Sequence, residues 1–318
     1  MPKVQPQNDK LGLVNVYPQN DGSNEIEVSF MPDPEMMVGE GKSQAVLALD
    51  ASLSFKSQYG FGNGPFDKDK KPNFVGLTAK EIGKLLCRLV RSATAHGIYW
   101  AVAPAGDKVE EFGEHNEQGW DQQKISGPQR ESWGKGTCIL PILQKIAIMS
   151  KTADWTMGVI ITDGQIDDEP AVIEYCKTLC KDLVERKEAN PDHRDPLKLV
   201  LIGVGPGVNK EQIERFDFMG NTLGLGYDLW SAHPDVLSMQ DPSELIAVLF
   251  GELVSEDMII ASAGVVTDRK GNVLLEKRDG LPAKLKFILP KGEKAFIIKV
   301  STDGGEEIIE QDCSSVIQ

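Results

Sequence analysis

The sequence predicts an α/β protein: a doubly wound, mainly parallel sheet inserted in a second, all-β sandwich domain built from both chain ends. Three observations predict it. Ala45–Leu49 is an unbroken apolar run, the mark of a strand covered on both faces, and Met157–Thr162 and Leu199–Val204 read as two further buried strands. Amphipathic helical stretches alternate with these runs, which demands parallel strands joined by crossover helices. At both ends the helical period disappears, and short strand-like runs follow one another between turn residues. The division expected is residues 1–40 for N-terminal sandwich strands, 41–256 for the α/β domain and 257–318 for C-terminal sandwich strands.

In chain order, Leu13–Val16 and Glu25–Phe30 read as strands either side of the turn Asn20-Asp21-Gly22-Ser23. Two strands form no stable sheet alone, so they need the C-terminal strands. Ala45–Leu49 opens the α/β domain. Thr78-Ala79-Lys80-Glu81 reads as a capping box ahead of Ile82, Leu85, Leu86, Leu89 and Val90, which share one helical face, with Gly97 as a stop. Ile98–Val102 is a strand and Val109–Phe112 a short edge strand. Residues 113–136 form a long polar loop, a length that carries function or disorder. A helix is expected over Thr137–Met149, with Pro141 in its first turn. After Met157–Thr162, Asp168-Glu169-Pro170 opens a helix with Val172, Ile173, Cys176, Leu179, Cys180 and Leu183 on one side. Leu199–Val204 is followed by a short helix capped by Asn209, a strand at Leu225–Trp230, and a helix behind the capping box Asp241-Pro242-Ser243-Glu244. Ile259–Val266, Val273–Glu276, Leu285–Leu289, Lys294–Val300 and Glu306–Ile309 are the strands expected last.

The composition sets limits. The chain has 318 residues, 41% hydrophobic and 26% charged, ordinary for a soluble protein. A formal charge of −14 argues against nucleic acid and anionic membranes as partners. No apolar run reaches the ~20 residues of a spanning helix, and no apolar signal segment follows Met1. Five cysteines without a disulfide framework fit a cytoplasmic location.

The chemistry concentrates after the first buried run. Asp50-Ala51-Ser52-Leu53-Ser54 places an acid and two hydroxyls at alternate positions in the loop at a strand's carboxyl end. Oxygen side chains so spaced can face one hard divalent cation. Gly134-Lys135-Gly136-Thr137 offers a further hydroxyl, and Thr162-Asp163-Gly164 a second acid at the end of another apolar strand. Open doubly wound sheets bind ligands outside such strand ends. The donors suit Mg²⁺, with Mn²⁺ or Ca²⁺ as alternatives, and not a thiolate-loving metal.

In these segments the chain resembles a von Willebrand factor type A domain with a metal-ion-dependent adhesion site. The family pattern D-x-S-x-S, then a threonine in a glycine-bearing loop, then T-D-G falls on Asp50, Ser52, Ser54, Thr137 and Asp163. The resemblance covers roughly 210 residues, a usual domain size. It implies a Rossmann-like fold and a non-enzymatic role. Ser52 and Ser54 would bind the ion directly, Thr137 would do so in the ligand-engaged state, and Asp50 and Asp163 would act through waters or by holding the hydroxyls. Few direct anionic ligands leave a cation electrophilic, with a corner open to an aspartate or glutamate of a protein partner. The resemblance extends broadly to intracellular type A proteins, those of tellurium-resistance operons and the copines, which suggests a stress-related role. One departure is Leu53, where the family commonly has glycine; leucine suits that position only if φ stays negative.

Plainer readings compete at several positions. Asp50, Ser52 and Thr137 could cap helices. Cys176 and Cys180 read as core residues rather than ligands. His96, His115, His193 and His233 are scattered without catalytic spacing. Gly203-Val204-Gly205-Pro206-Gly207 lacks the lysine and hydroxyl of a phosphate loop and reads as a strand-to-helix turn. Asp167-Asp168-Glu169 reads as helix N-terminal acids. Trp120 and Trp133 either rim the cation for a partner or pin the long loop to the core. The alternative function is a metal-dependent phosphotransferase or hydrolase on a similar sheet. Its second acid, two residues after a nucleophilic aspartate, would stand where Ser52 is, and no general base lies nearby in sequence.

Overall fold

The computed structural model describes residues 3–4, 6–31, 41–61, 72–190, 195–236, 239, 242–253, 259–302 and 305–317. The chain divides into two compact units: residues 1–36 with 249–318, and residues 37–248.

The first unit begins with β1 (Lys3–Val4), β2 (Leu11–Pro18) and β3 (Asn24–Phe30). The 37–248 unit begins with β4 (Ser43–Asp50), and a 3-10 turn follows at Phe55–Tyr59. Next come α1 (Phe74–Arg88), β5 (Ala95–Val102), β6 (Lys108–His115), α2 (Glu117–Gln122) and α3 (Leu140–Ser150). Then come β7 (Trp155–Thr162), α4 (Glu169–Ala189), β8 (Leu197–Val204), α5 (Lys210–Asp217), α6 (Met219–Thr222) and β9 (Trp230–Val236). Helix α7 (Pro242–Leu253) straddles the division between the units. The remaining strands are β10 (Ile259–Ala261), β11 (Ala263–Asp268), β12 (Val273–Lys277), β13 (Leu281–Pro282), β14 (Lys284–Leu289), β15 (Ala295–Thr302) and β16 (Gly305–Asp312).

Strands β4 to β9 form a 6-stranded sheet in the order β6-β5-β4-β7-β8-β9. All its pairings are parallel except that of β6, which runs antiparallel on one edge. All eight residues of β7 are buried, as a strand covered on both faces requires. One face packs α3, α4 and α5 through Ile142, Ile146, Leu179, Leu183, Ile213 and Phe216 against Val46, Ala48, Ile160 and Leu201. Cys176 and Cys180 lie in that core, their thiols pushed up by burial to about 11 and about 12. Helix α1 packs over β4 and β5 with a separate set, Val75, Ala79, Ile82 and Leu86. From β4 the chain crosses to β5 on one side, while β7 joins β4 on the other. The strand order therefore switches between β4 and β7, where their carboxyl ends open a crevice.

The unit of the two chain ends holds two four-stranded antiparallel sheets, β1-β2-β3-β14 and β12-β11-β15-β16, and the pair β10-β13. β14 pairs with β3, so N- and C-terminal strands share a sheet. Val16, Ile26, Val28 and Leu289 of one sheet share an apolar cluster with Val266, Ile298 and Ile309 of the other. The rings of Phe287 and Phe296 meet across it, 5.0 Å apart and nearly perpendicular.

Several boundaries differ from expectation. Helix α1 starts at Phe74, with the Asn73 side chain accepting from Gly76 N, so Thr78 and Glu81 lie inside the helix and form no capping box. The Thr78 hydroxyl donates to the Met239 carbonyl instead. Gly97 is no stop: it lies within β5, and a Cβ there would be 2.1 Å from the Phe112 ring on β6. The strand expected at Leu225–Trp230 begins only at Trp230. The run Ile259–Val266 is broken at Ser262 into β10 and β11. The box at 241–244 lies outside the described residues in its Asp241 and in the side chains of Ser243 and Glu244, although α7 is present. Asn209 does cap α5 through Gln212 N. Among the described residues no helix is long and apolar enough to cross a membrane.

The loop expected over 113–136 begins only after β6 ends at His115, and it contains α2, whose Trp120 is fully buried. That ring lies against Gly83 of α1, where a Cβ would come within 2.2 Å of it. In an open helix Gly→Ala gains about 1 kcal/mol. Here Gly83→Ala is expected to destabilise by about 1–3 kcal/mol through overpacking, read by urea unfolding. A stabilised variant would show that Trp120 does not seat on this glycine.

Candidate metal centre

Asp50 closes β4 and is fully buried. Its Oδ1 accepts from Ser52 N at 2.6 Å, and its Oδ2 accepts from Thr162 Oγ1 at 2.6 Å. The second bond ties the end of β4 to the end of β7. Tyr59 Oη donates to the Asp50 carbonyl at 2.8 Å, folding the 3-10 turn back under the loop. Ser52 Oγ lies 2.9 Å from Ser54 Oγ, and Ser54 Oγ donates to Asp163 Oδ1 at 2.8 Å. Ser52 is thus left to donate to Ser54, in a chain that ends on the Asp163 carboxylate.

Thr137 arrives by a backbone device. Gly134 N reaches the carbonyls of both Ala51 and Ala101 at 3.1 Å, and Leu53 N donates to Gly134 O at 2.8 Å. A Cβ on Gly134 would lie 2.2 Å from Ala101 O, so only glycine fits. Asp167 and Asp168 then fasten the segment. Thr137 N donates to Asp167 Oδ2 at 2.8 Å, and Asp167 N returns a bond to Thr137 O at 3.0 Å. The two oxygens of Asp168 accept from Ile139 N and Leu140 N, each at 2.9 Å, capping α3. The helix therefore starts at Leu140 and not at Thr137, and Asp168 supplies the cap that Thr137 was read to supply. These acids thus serve the segment that opens α3; Asp168, at the N-cap of α4, makes no side-chain bond to its own helix. A Cβ on Gly164 would stand 3.7 Å from both Ser54 Oγ and Thr137 Oγ1. Asp50, Ser52, Ser54, Thr137 and Asp163 are thereby gathered at the crevice between β4 and β7.

Backbone strain sits beside the site. Ala101 and Ala103 have φ of 55° and 70°, and the β5–β6 register shifts between Trp100 and Val102. Left-handed alanine is disfavoured by roughly 1–2 kcal/mol. Bonds made in that conformation hold it: Ala101 O accepts from Gly134 N, and Ala103 N donates to Ser132 O at 2.8 Å. Leu53 is not among the residues with positive φ, which is the condition for leucine at that position.

No family model matches the chain, and no curated protein does. Among solved structures it is similar to the ArnB paralog VWA2 from Sulfolobus acidocaldarius, with a TM-score of 0.37 and 13% identity, over 92% of this chain and 69% of that one. It is also similar to the PilB minor pilin from Streptococcus sanguinis, with a TM-score of 0.39 and 9% identity, over 75% and 76% of the two chains. Both likenesses are loose.

The electrostatics of the site leave room for positive charge. Burial raises the Asp50 carboxyl above the ordinary carboxylate range, against the bonds from Thr162 and Ser52 that lower it. Burial, followed by the Asp50 charge, raises Asp163 to about 7, against the Ser54 bond. Among the described residues neither acid is paired with a lysine or arginine. No group of three or more His, Cys, Asp or Glu among them could hold a metal ion, so here hydroxyls would have to complete a ligand set. Three hydroxyls and two carboxylates are the donors a hard dication takes, and its charge would offset the burial of both acids. The residues present fit such an ion. Of Trp120 and Trp133, the first belongs to the core, while the second is half-buried beside Gly134.

Proposed function

We propose that the protein is a non-enzymatic, metal-dependent protein-binding module of the von Willebrand factor type A kind. Asp50, Ser52, Ser54, Thr137 and Asp163 would hold Mg²⁺, with Mn²⁺ or Ca²⁺ as alternatives. When bound, the ion would supply an electrophilic corner for the aspartate or glutamate carboxylate of a partner. Ser52, Ser54 and Thr137 present neutral oxygens; Asp50 and Asp163 orient them and offset the charge. The reading is supported above all by one observation: Ser52, Ser54 and Asp163 lie in one hydrogen-bonded chain with Thr137 beside it. The net charge of −14 is no obstacle, because a local dication dominates nearby and distant charge is screened beyond ~8 Å. A stress-related role like that of the tellurium-resistance group rests on the sequence resemblance alone, and a cytoplasmic location on the five cysteines without a disulfide framework.

Calorimetry with Mg²⁺ and Mn²⁺ is expected to show binding by the wild type and none by Asp50→Ala. A pull-down should then yield partners released by EDTA and lost in the same variant. Absence of any metal heat or thermal shift would leave a scaffold without a cation site. Metal-dependent hydrolysis of p-nitrophenyl phosphate would favour the phosphotransferase reading instead.

A further inference from the structure

The rim of this site is apolar and carries a cation. Leu53, between the two serines, is 48% exposed, and Phe61, just past the 3-10 turn, is 40% exposed. Trp133 directly precedes Gly134, whose carbonyl takes the Leu53 N–H, so both side chains stem from one stitched seam. The Phe61 and Trp133 rings meet edge to face at 5.6 Å, and Trp133 leans in turn on buried Tyr59 at 5.1 Å. Lys56 Nζ lies 5.3 Å from the Phe61 ring centre and 5.6 Å from that of Trp133. An ammonium attracted to two rings makes the aromatic ledge locally positive. Single exposed apolar residues are ordinary, but aromatic and aliphatic groups gathered beside a polar cluster have the make-up of an interface core.

We propose that Leu53, Phe61 and Trp133, with Lys56, form a second subsite that selects protein segments whose acidic residue is flanked directly by an apolar or aromatic one. The inference rests on the cation-site reading above. The acidic residue would meet an ion held by Asp50, Ser52, Ser54, Thr137 and Asp163, and the Lys56 ammonium at the ledge adds attraction for it. Its neighbour covers Leu53 and Phe61, removing apolar surface from water. A simple carboxylate such as acetate is drawn by the same charge but leaves Leu53 and Phe61 bare and gains nothing from their burial. Charge complementarity names the occupant: an acidic, apolar-flanked peptide, not a basic one.

The test is selection of phage-displayed random heptapeptides on the full chain in Mg²⁺, with elution by EDTA. Wild type, Leu53→Ala/Phe61→Ala and Asp50→Ala serve as baits. Both rim side chains are exposed, and a melting curve of the double variant checks its fold. Wild type is expected to enrich Asp or Glu next to Leu, Phe, Tyr or Trp. The double variant should still enrich the acid while the neighbour returns to library frequency, and a synthetic wild-type winner should bind it about tenfold more weakly. Acidic peptides without an apolar neighbour on wild type, or an unchanged preference on the double variant, would overturn the subsite and leave the cation site standing. Peptides not released by EDTA, or equally enriched on Asp50→Ala, would overturn the cation reading and the subsite with it.

Discussion

Asp50→Asn is expected to end divalent-cation binding and, in the same molecule, to raise the melting temperature of the metal-free protein. The two effects have one cause. Asp50 is fully buried, and burial raises its carboxyl, so at neutral pH the folded state bears an unfavourable charge or holds a proton that the unfolded chain has released. Asparagine keeps the geometry. Its oxygen can accept from Ser52 N as Oδ1 does, and its amide can donate to the Thr162 hydroxyl, which accepts as readily as it donates. Reversing the Thr162 bond leaves its hydroxyl proton without the carboxylate, yet removing the buried charge is the larger effect, with an expected net gain of about 1 kcal/mol, or ~2–4 °C in a domain of this size. Asp50→Ala removes charge and acceptor together and leaves two polar groups unpaired, at about 1–3 kcal/mol each. In EDTA the expected melting order is therefore Asn variant, wild type, Ala variant. With Mg²⁺ only the wild type should rise. An Asn variant melting below wild type in EDTA would sink the account of buried charge, and one that still gains stability from Mg²⁺ would remove Asp50 from the ion's surroundings.

The fold was legible where burial alone writes the pattern. Runs such as Ala45–Leu49 and Leu199–Val204 are apolar because both faces of the strand are covered, and they stand inside β4 and β8. Legibility failed where a residue answers to a distant neighbour. Thr78 and Glu81 have the spacing of a capping box, but Asn73 takes the cap and the Thr78 hydroxyl is used by Met239. Gly97 looked like a stop, yet it is glycine because the Phe112 ring of the next strand lies over it. β9 was displaced because Leu225–Trp230 is the more apolar stretch, while the true strand carries His233, Pro234 and Asp235. At the site, all five oxygen side chains could be named from motif spacing, and the structure gathers them. What gathers them could not be read. Gly134 bridging two strand ends, Asp167 and Asp168 gripping the segment before α3, and left-handed Ala101 and Ala103 act through backbone groups far apart in sequence. Alanine in particular carries no sign of an unusual φ.

In EDTA the stability of the wild type is expected to fall between about pH 5 and about pH 7, and Mg²⁺ should abolish the fall. Asp163 stands at about 7 in the fold against an ordinary 3.8. Between those values the folded chain keeps a proton that the unfolded chain has lost, so folding is disfavoured increasingly as pH rises. The contribution is fully present below 3.8 and gone once pH has passed through about 7. Where one proton separates the states, the slope is about 1.4 kcal/mol per pH unit. Glu110 and Glu169 act in the opposite sense, being held below the ordinary 4.5, Glu110 by bonds from three backbone N–H groups and Glu169 by the Arg215 guanidinium. Their stabilisation is present above 4.5 and lost as pH falls further, so it levels off before the Asp163 window is crossed. Urea unfolding of wild type and Asp163→Asn across that window isolates the effect: the wild-type curve should descend relative to a flatter variant. A dication beside the carboxylate favours its ionised form, and binding to the folded state alone adds stability that grows with pH as the proton ceases to compete. Parallel curves for the two proteins in EDTA would mean that Asp163 ionises freely in the fold, and the charge deficit assigned to this crevice would then be absent.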